Sequence, residues 1–95
     1  MAETVEELTV SWQEGDIETV KELDKKILTK GAWTTIIYRY QDWNNTKGEY
    51  GPDKFTIRRY QKRNGEYQPK SKFNISSEKQ ARQVIEALTE WVGDE

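Results

Sequence analysis

The sequence predicts an α+β domain in which a run of strands is followed by one C-terminal helix, and three observations carry that expectation. Apolar and polar residues alternate from Lys54 to Lys62, an Asn64-Gly65 pair then precedes a second alternating run that ends at Ile75, and beyond Ser77 the apolar residues recur at helical spacing. Alternation is the signature of a pleated strand, whereas a recurrence of three and four residues marks one face of a helix.

Taken in chain order, residues 1–15 are acidic, contain Trp12 and show no sustained period. They read as an acidic, flexible N-terminal arm with a short ordered piece around Leu8 to Trp12, and residues 16–95 form a single α+β domain. Residues 16–30 are ambiguous, because Ile17, Val20, Ile27 and Leu28 suit a helix while Leu23, Lys25 and Ile27 alternate; a strand over 19–28 is the preferred reading. Lys30-Gly31 makes a turn. Residues 32–43 are rich in Thr, Ile, Tyr and Trp, which suit a pleated surface, so this stretch reads as a second strand. Residues 44–53 contain two Gly, two Asn and Pro52 and read as a ten-residue loop. In the next strand Phe55 and Ile57 point one way and Lys54, Thr56, Arg58, Tyr60 and Lys62 the other. Asn64-Gly65 accepts positive φ at both central positions of a tight hairpin turn. The return strand places Tyr67, Ser71, Phe73 and Ile75 on one side and Gln68, Lys70, Lys72 and Asn74 on the other, with Pro69 marking an edge or a bulge. Ser77 and Gln80 form a capping box for a helix whose stripe is Ala81, Val84, Ile85, Leu88, Trp91 and Val92, and Gly93 ends it. The stripe is expected to pack on the apolar side of the hairpin, leaving the basic side uncovered.

Ninety-five residues with 34% apolar composition and a mean hydropathy of −1.04 give only a modest core, so dimerisation is an economical way to bury more surface. The chain has no Cys and no His, which removes thiol chemistry, disulfides, the usual zinc ligands and the usual general base. An enzyme, a cofactor and a metal are therefore not expected. No basic leader or long apolar run is present, which predicts a soluble intracellular protein, cytoplasmic or nucleoid-associated, without membrane contact. The net charge of −2 conceals segregation: residues 1–23 carry −6, residues 24–72 carry +7 and residues 73–95 carry −3. Local potential, not the average, steers charged partners.

The functional candidate is the basic, aromatic sheet face. Single-stranded nucleic acid is held by cations that follow phosphates and by rings on which bases stack, and both residue types alternate here. A solvated strand face, charged against edge pairing, explains the same pattern equally well. Trp33, Trp43, Tyr38 and Tyr40 are stacking candidates, although rings in so small a domain are more often core. The acidic arm beside the basic centre suggests competition for that face, so that deleting residues 1–15 would tighten binding.

The order Ile57-Arg58-Arg59-Tyr60, the Asn64-Gly65-Glu66 turn, Pro69 with Lys70 and Lys72, and Ile75-Ser76 before a capped helix resembles the positive cofactor four family of single-strand-binding transcriptional coactivators. The resemblance implies a four-stranded antiparallel sheet followed by a helix, in a homodimer whose sheets form a curved basic surface for single-stranded DNA, with a role in transcription regulation. Arg58 and Tyr60 match the family's strand motif, and Lys70 and Lys72 its basic return strand; Gln61 stands where the family has a second aromatic. The expected function is thus binding of single-stranded nucleic acid with little sequence specificity. Arg39, Lys54, Arg58, Lys62, Lys70 and Lys72 would contact phosphate, and Tyr60 with Trp33 or Trp43 would stack. The alternative is a protein-interaction module that uses the aromatic strand 32–43 and the basic strip to meet an acidic partner.

Overall fold

A computed structural model describes residues 4–93 of the chain. A short 3-10 turn at Val5–Glu7 leads into strands β1 (Trp12–Glu14), β2 (Ile17–Thr29), β3 (Trp33–Asn44), β4 (Glu49–Tyr50), β5 (Lys54–Arg63) and β6 (Glu66–Ile75), followed by helix α1 (Glu78–Val92). The strands form one antiparallel sheet in the order β1-β2-β3-β5-β6, with β4 folded back on the end of β3. The α+β class is as expected, but two strands exceed the expected four. β1 comes from the stretch read as an arm, and β4 lies within the stretch read as a loop.

Local chemistry accounts for the corners. Asn64 and Gly65 adopt φ of 53° and 80°, the left-handed pair that a two-residue hairpin needs. Ser77 Oγ accepts from the Gln80 amide at 3.1 Å. Gln80 Oε1 reaches past Ser77 to accept from the Ser76 amide at 2.9 Å and the Ser76 hydroxyl at 3.2 Å, so the box closes one residue further back than expected. Gly93, at φ 94°, ends the helix. Pro69 sits in the edge strand at a bulge, where Arg59 pairs with Ser71 but Tyr60 with Pro69. That extra residue moves Tyr67 to the side of Tyr60 and Lys62, away from Ser71, Phe73 and Ile75, with which strict alternation had grouped it.

Directly opposed partners share a face, so the register defines the core side of the sheet. Thr34, Ile36 and Tyr38 of β3 face Tyr60, Arg58 and Thr56 of β5, while Ile27 and Lys25 of β2 face Ile36 and Tyr38. Val5, Leu8 and Val10 complete a buried cluster with Ile36, Tyr38, Tyr60 and Tyr67. The segment expected as a flexible arm is therefore the lid of the core. Its three aliphatic side chains remove apolar surface from water, and Lys25 Nζ ties down its backbone by donating to the carbonyls of Leu8 at 2.6 Å, Glu6 at 3.0 Å and Val5 at 3.4 Å. Acidic composition concealed this role, because Glu6 and Glu7 are exposed between the buried positions.

At the centre of the core the Tyr38 and Tyr60 hydroxyls share a hydrogen bond of 3.0 Å. Burial pushes the Tyr38 phenol well above its ordinary range, and the bond to Tyr60 pushes it further in the same direction. A group held protonated in the fold and ionised near pH 10 in the unfolded chain contributes fully below that pH and loses its contribution above it. Stability measured by urea denaturation should accordingly be level across neutral pH and fall above about pH 10, at up to about 1.4 kcal/mol per pH unit. Tyr38→Phe should flatten that decline.

The helix departs most from expectation. Ala81 and Val84 are half-buried, but Ile85, Leu88, Trp91 and Val92 are exposed by 61, 53, 79 and 74%, so the stripe beyond Val84 does not pack on the hairpin. The Cα envelope measures 41 × 38 × 17 Å, the thinness of a sheet with a helix beside it.

Candidate nucleic-acid interface

The nine expected contact residues do not form one patch. Lys54, Arg58, Tyr60 and Lys62 share the core side of β5, while Trp33, Arg39 and Trp43 belong to the opposite side of β3. Tyr60 is 5% exposed, with its hydroxyl engaged by Tyr38, so its ring is not offered to a base. Strand alternation correctly grouped Tyr60 with the cations; what covers that side comes from residues 50 positions away in the chain. Lys54 donates to Asp42 Oδ2 at 2.8 Å, and this bond raises its pKa above the ordinary lysine value. Arg39 lies 3.6 Å from Asp53, whose other oxygen accepts from Gln41 Nε2 at 2.9 Å. Both cations are thereby partly neutralised.

Trp43 is also engaged. Its ring meets Tyr50 edge to face at 5.1 Å, its Nε1 donates to Asn45 Oδ1 at 2.8 Å, and Lys21 lies 5.2 Å from the Tyr50 ring, whose hydroxyl donates to the Glu18 carbonyl at 2.7 Å. This cluster pins β4 to β3. Trp33 stands ten residues away, about 33 Å along an extended strand, so the two tryptophans cannot belong to one stacking surface of short reach.

The β5–β6 hairpin is different. Lys62, Lys70 and Lys72 are exposed as expected, and Arg59 and Arg63 are exposed beside them. Arg58, opposite Lys72, is half-buried and its Nε has no hydrogen-bond partner among the described residues. Among the described residues none of these six cations pairs with a carboxylate. The Arg59 guanidinium lies 4.6 Å from the Trp33 ring and Lys62 Nζ 5.5 Å from that of Tyr67. No family model, curated protein or solved structure matches the chain. The reading of this surface therefore rests on its own chemistry.

Arg59 and Arg63 were missed because neither lies on the alternating set that begins at Lys54. Finding Arg59 beside Trp33 requires the β3–β5 register, in which Thr35 faces Arg59 and Trp33 faces Gln61, and no local signal supplies it. Trp33, 42% exposed, is held in place from one side and open on the other. A guanidinium stacked on an indole, with further cations at the strand edge, can hold a phosphate and present a ring at the same time. No cluster of acidic side chains suited to a metal occurs among the described residues, and none of their helices is long and apolar enough to cross a membrane.

Proposed function

We propose that the protein is a homodimeric module that binds single-stranded nucleic acid through the β5–β6 hairpin. The observation that carries the reading is the set of six cations there, Arg58, Arg59, Lys62, Arg63, Lys70 and Lys72, without carboxylate partners among the described residues and beside the half-open Trp33 ring. An edge hairpin projecting cations from both faces suits a flexible backbone, which can wrap it, better than a rigid duplex groove. Duplex recognition by the helix is disfavoured, since α1 carries only Lys79 and Arg82 against three Glu, and Arg82 is tied to Glu78 at 2.9 Å.

Anisotropy of a labelled single-stranded oligonucleotide, titrated at low and moderate salt with duplex as competitor, tests this. Six phosphate contacts on a single strand give a slope of about −4 in log affinity against log salt, or roughly a 300-fold loss between 50 and 200 mM. Absence of binding at low salt, or affinity indifferent to salt, would overturn the proposal. The competing reading is a protein-interaction module. It is favoured by the exposed apolar stripe of α1 and by the open face of strand 32–43, and it predicts that substituting Trp33 abolishes capture of a protein partner while the fold persists.

A further inference from the structure

On the edge of β3 that faces β5 the hydrogen-bonded ladder is interrupted. β5 runs beside β3 only as far as the Tyr40–Lys54 pair and β4 only along Trp43 and Asn44, so residues 51–53 cross a gap opposite Gln41 and Asp42. The Gly51 amide, donating to the Asp42 carbonyl at 2.9 Å, spans it. A cleft of about 340 Å³ opens at this gap, walled by Asp42, Trp43, Asn44, Asn45, Pro52 and Lys54. Neighbouring strand residues point to opposite faces, so Asp42 and Trp43 line one cleft only because the ladder ends beside them. The cleft lies at the end of β3 remote from Trp33 and the hairpin tip.

Contacts within the wall decide which atoms remain for a ligand. Asn44 Oδ1 accepts from the Lys47 amide at 3.1 Å and Asn45 Oδ1 from Trp43 Nε1 at 2.8 Å, which leaves both side-chain nitrogens to donate. Asp42 Oδ2 accepts from Lys54 Nζ at 2.8 Å, which leaves Asp42 Oδ1 to accept and two lysine protons to donate. The Trp43 indole is held by Asn45 and by Tyr50, whose ring meets it edge to face and so covers at most one of its faces. The Asp42–Lys54 pair makes the wall neutral: a ligand anion loses to Asp42 what it gains from Lys54, and a cation the reverse. A hydroxyl suits such a wall, since it donates and accepts at once. The ring calls for an apolar surface, because C–H bonds suit the negative face of an indole.

We propose that this cleft binds a neutral carbohydrate, with one pyranose ring laid on Trp43 and its hydroxyls shared between Asp42 Oδ1 and the donors of Asn44, Asn45 and Lys54. A molecule with hydroxyls around its rim and C–H groups on its face meets both demands, and the cleft, at the small end of ligand sites, takes one or two such rings. The site is separate from the cationic hairpin and does not rest on nucleic-acid binding.

The chain has four tryptophans, so four indole N–H signals report binding by two-dimensional NMR, and Trp43→Phe identifies the one at the cleft. The probes are the methyl glycosides of glucose, galactose, mannose and N-acetylglucosamine, with glucosamine, glucose 6-phosphate and thymidine as the cationic, anionic and nucleoside comparisons. A ligand of about twelve heavy atoms at ordinary efficiency has a Kd of roughly 1–10 mM, so titration to about 50 mM reaches a plateau. At least one glycoside should move the Trp43 signal saturably while those of Trp12, Trp33 and Trp91 stay in place. Asn45→Ala, in an exposed turn, should weaken that glycoside at least fivefold and leave oligonucleotide binding unchanged. The proposal is overturned if none of the four glycosides gives a saturable Trp43 shift, if all four indoles move alike, or if Asn45→Ala binds as the wild type does. Tighter binding of thymidine or of a charged sugar than of every neutral glycoside overturns it equally.

Discussion

Replacing Arg59 and Lys70 together by Glu should weaken binding of a single-stranded oligonucleotide by roughly 10- to 100-fold at low salt. Each reversal removes one cation and adds one anion near the same phosphates, a change of four charges in all. A pair of unit charges 4 Å apart in water is worth about 1 kcal/mol, so the unscreened ceiling is about 4 kcal/mol, and screening lowers it to the stated range. Arg59 contributes in a second way, since its guanidinium lies 4.6 Å from the Trp33 ring and restrains it. Two lost phosphate contacts should also make the salt slope shallower by about 1.4. Both side chains are exposed, so the fold should be preserved, with stability changes of about 0.5 kcal/mol or less at each position. Lys47→Glu, in the exposed turn between β3 and β4, is the control, because it changes the net charge by two, half as much as the hairpin pair, and does so far from the hairpin. If Lys47→Glu weakens binding as much per charge as the hairpin pair does, attraction is diffuse and the hairpin is no site.

Much of the hairpin and helix was legible because their signals are local. Asn64-Gly65 needs only its own backbone preferences to make its turn, Ser77 and Gln80 cap within one turn, and Pro69 announced the bulge that the edge strand contains. Residues 16–30 were ambiguous for a reason the structure supplies. β2 bulges at Leu23 and again at Leu28, so that Val20, Glu22, Lys25 and Ile27 share one face despite their uneven spacing. A strand with two bulges carries neither a clean period of two nor a true period of 3.6. The helix stripe was recognised, but amphipathicity states only that a surface needs covering; it does not name the surface that covers it. The contact candidates failed in the same way. Alternation places Tyr60 on the side of Lys54 and Arg58, yet the side chains closing over that side lie at the other end of the chain, joined to it only through tertiary packing.

Those closing residues carry the second large effect. Leu8→Ala should destabilise the fold by about 2–5 kcal/mol, the usual cost of emptying a buried leucine site. Against a total of roughly 5–15 kcal/mol for a domain of this kind, that is a substantial share, and it corresponds to a fall in Tm of about 10–30 °C. Leu8 is 7% exposed among Val5, Val10, Ile36, Tyr38, Tyr60 and Tyr67, and its carbonyl accepts the 2.6 Å bond from Lys25. Glu6→Ala, whose side chain is exposed two residues earlier, should change stability by less than about 0.5 kcal/mol. Circular dichroism followed through thermal and urea denaturation distinguishes the two substitutions. Equal and negligible effects would return residues 4–10 to the status of an arm. The same argument reverses the expected outcome of deleting residues 1–15: removing Val5, Leu8 and Val10 bares Ile36, Tyr38 and Tyr60 to water. The truncated chain should lose its cooperative unfolding transition, and with it the register that holds Trp33 beside Arg59, so binding should weaken where simple charge competition would have it tighten.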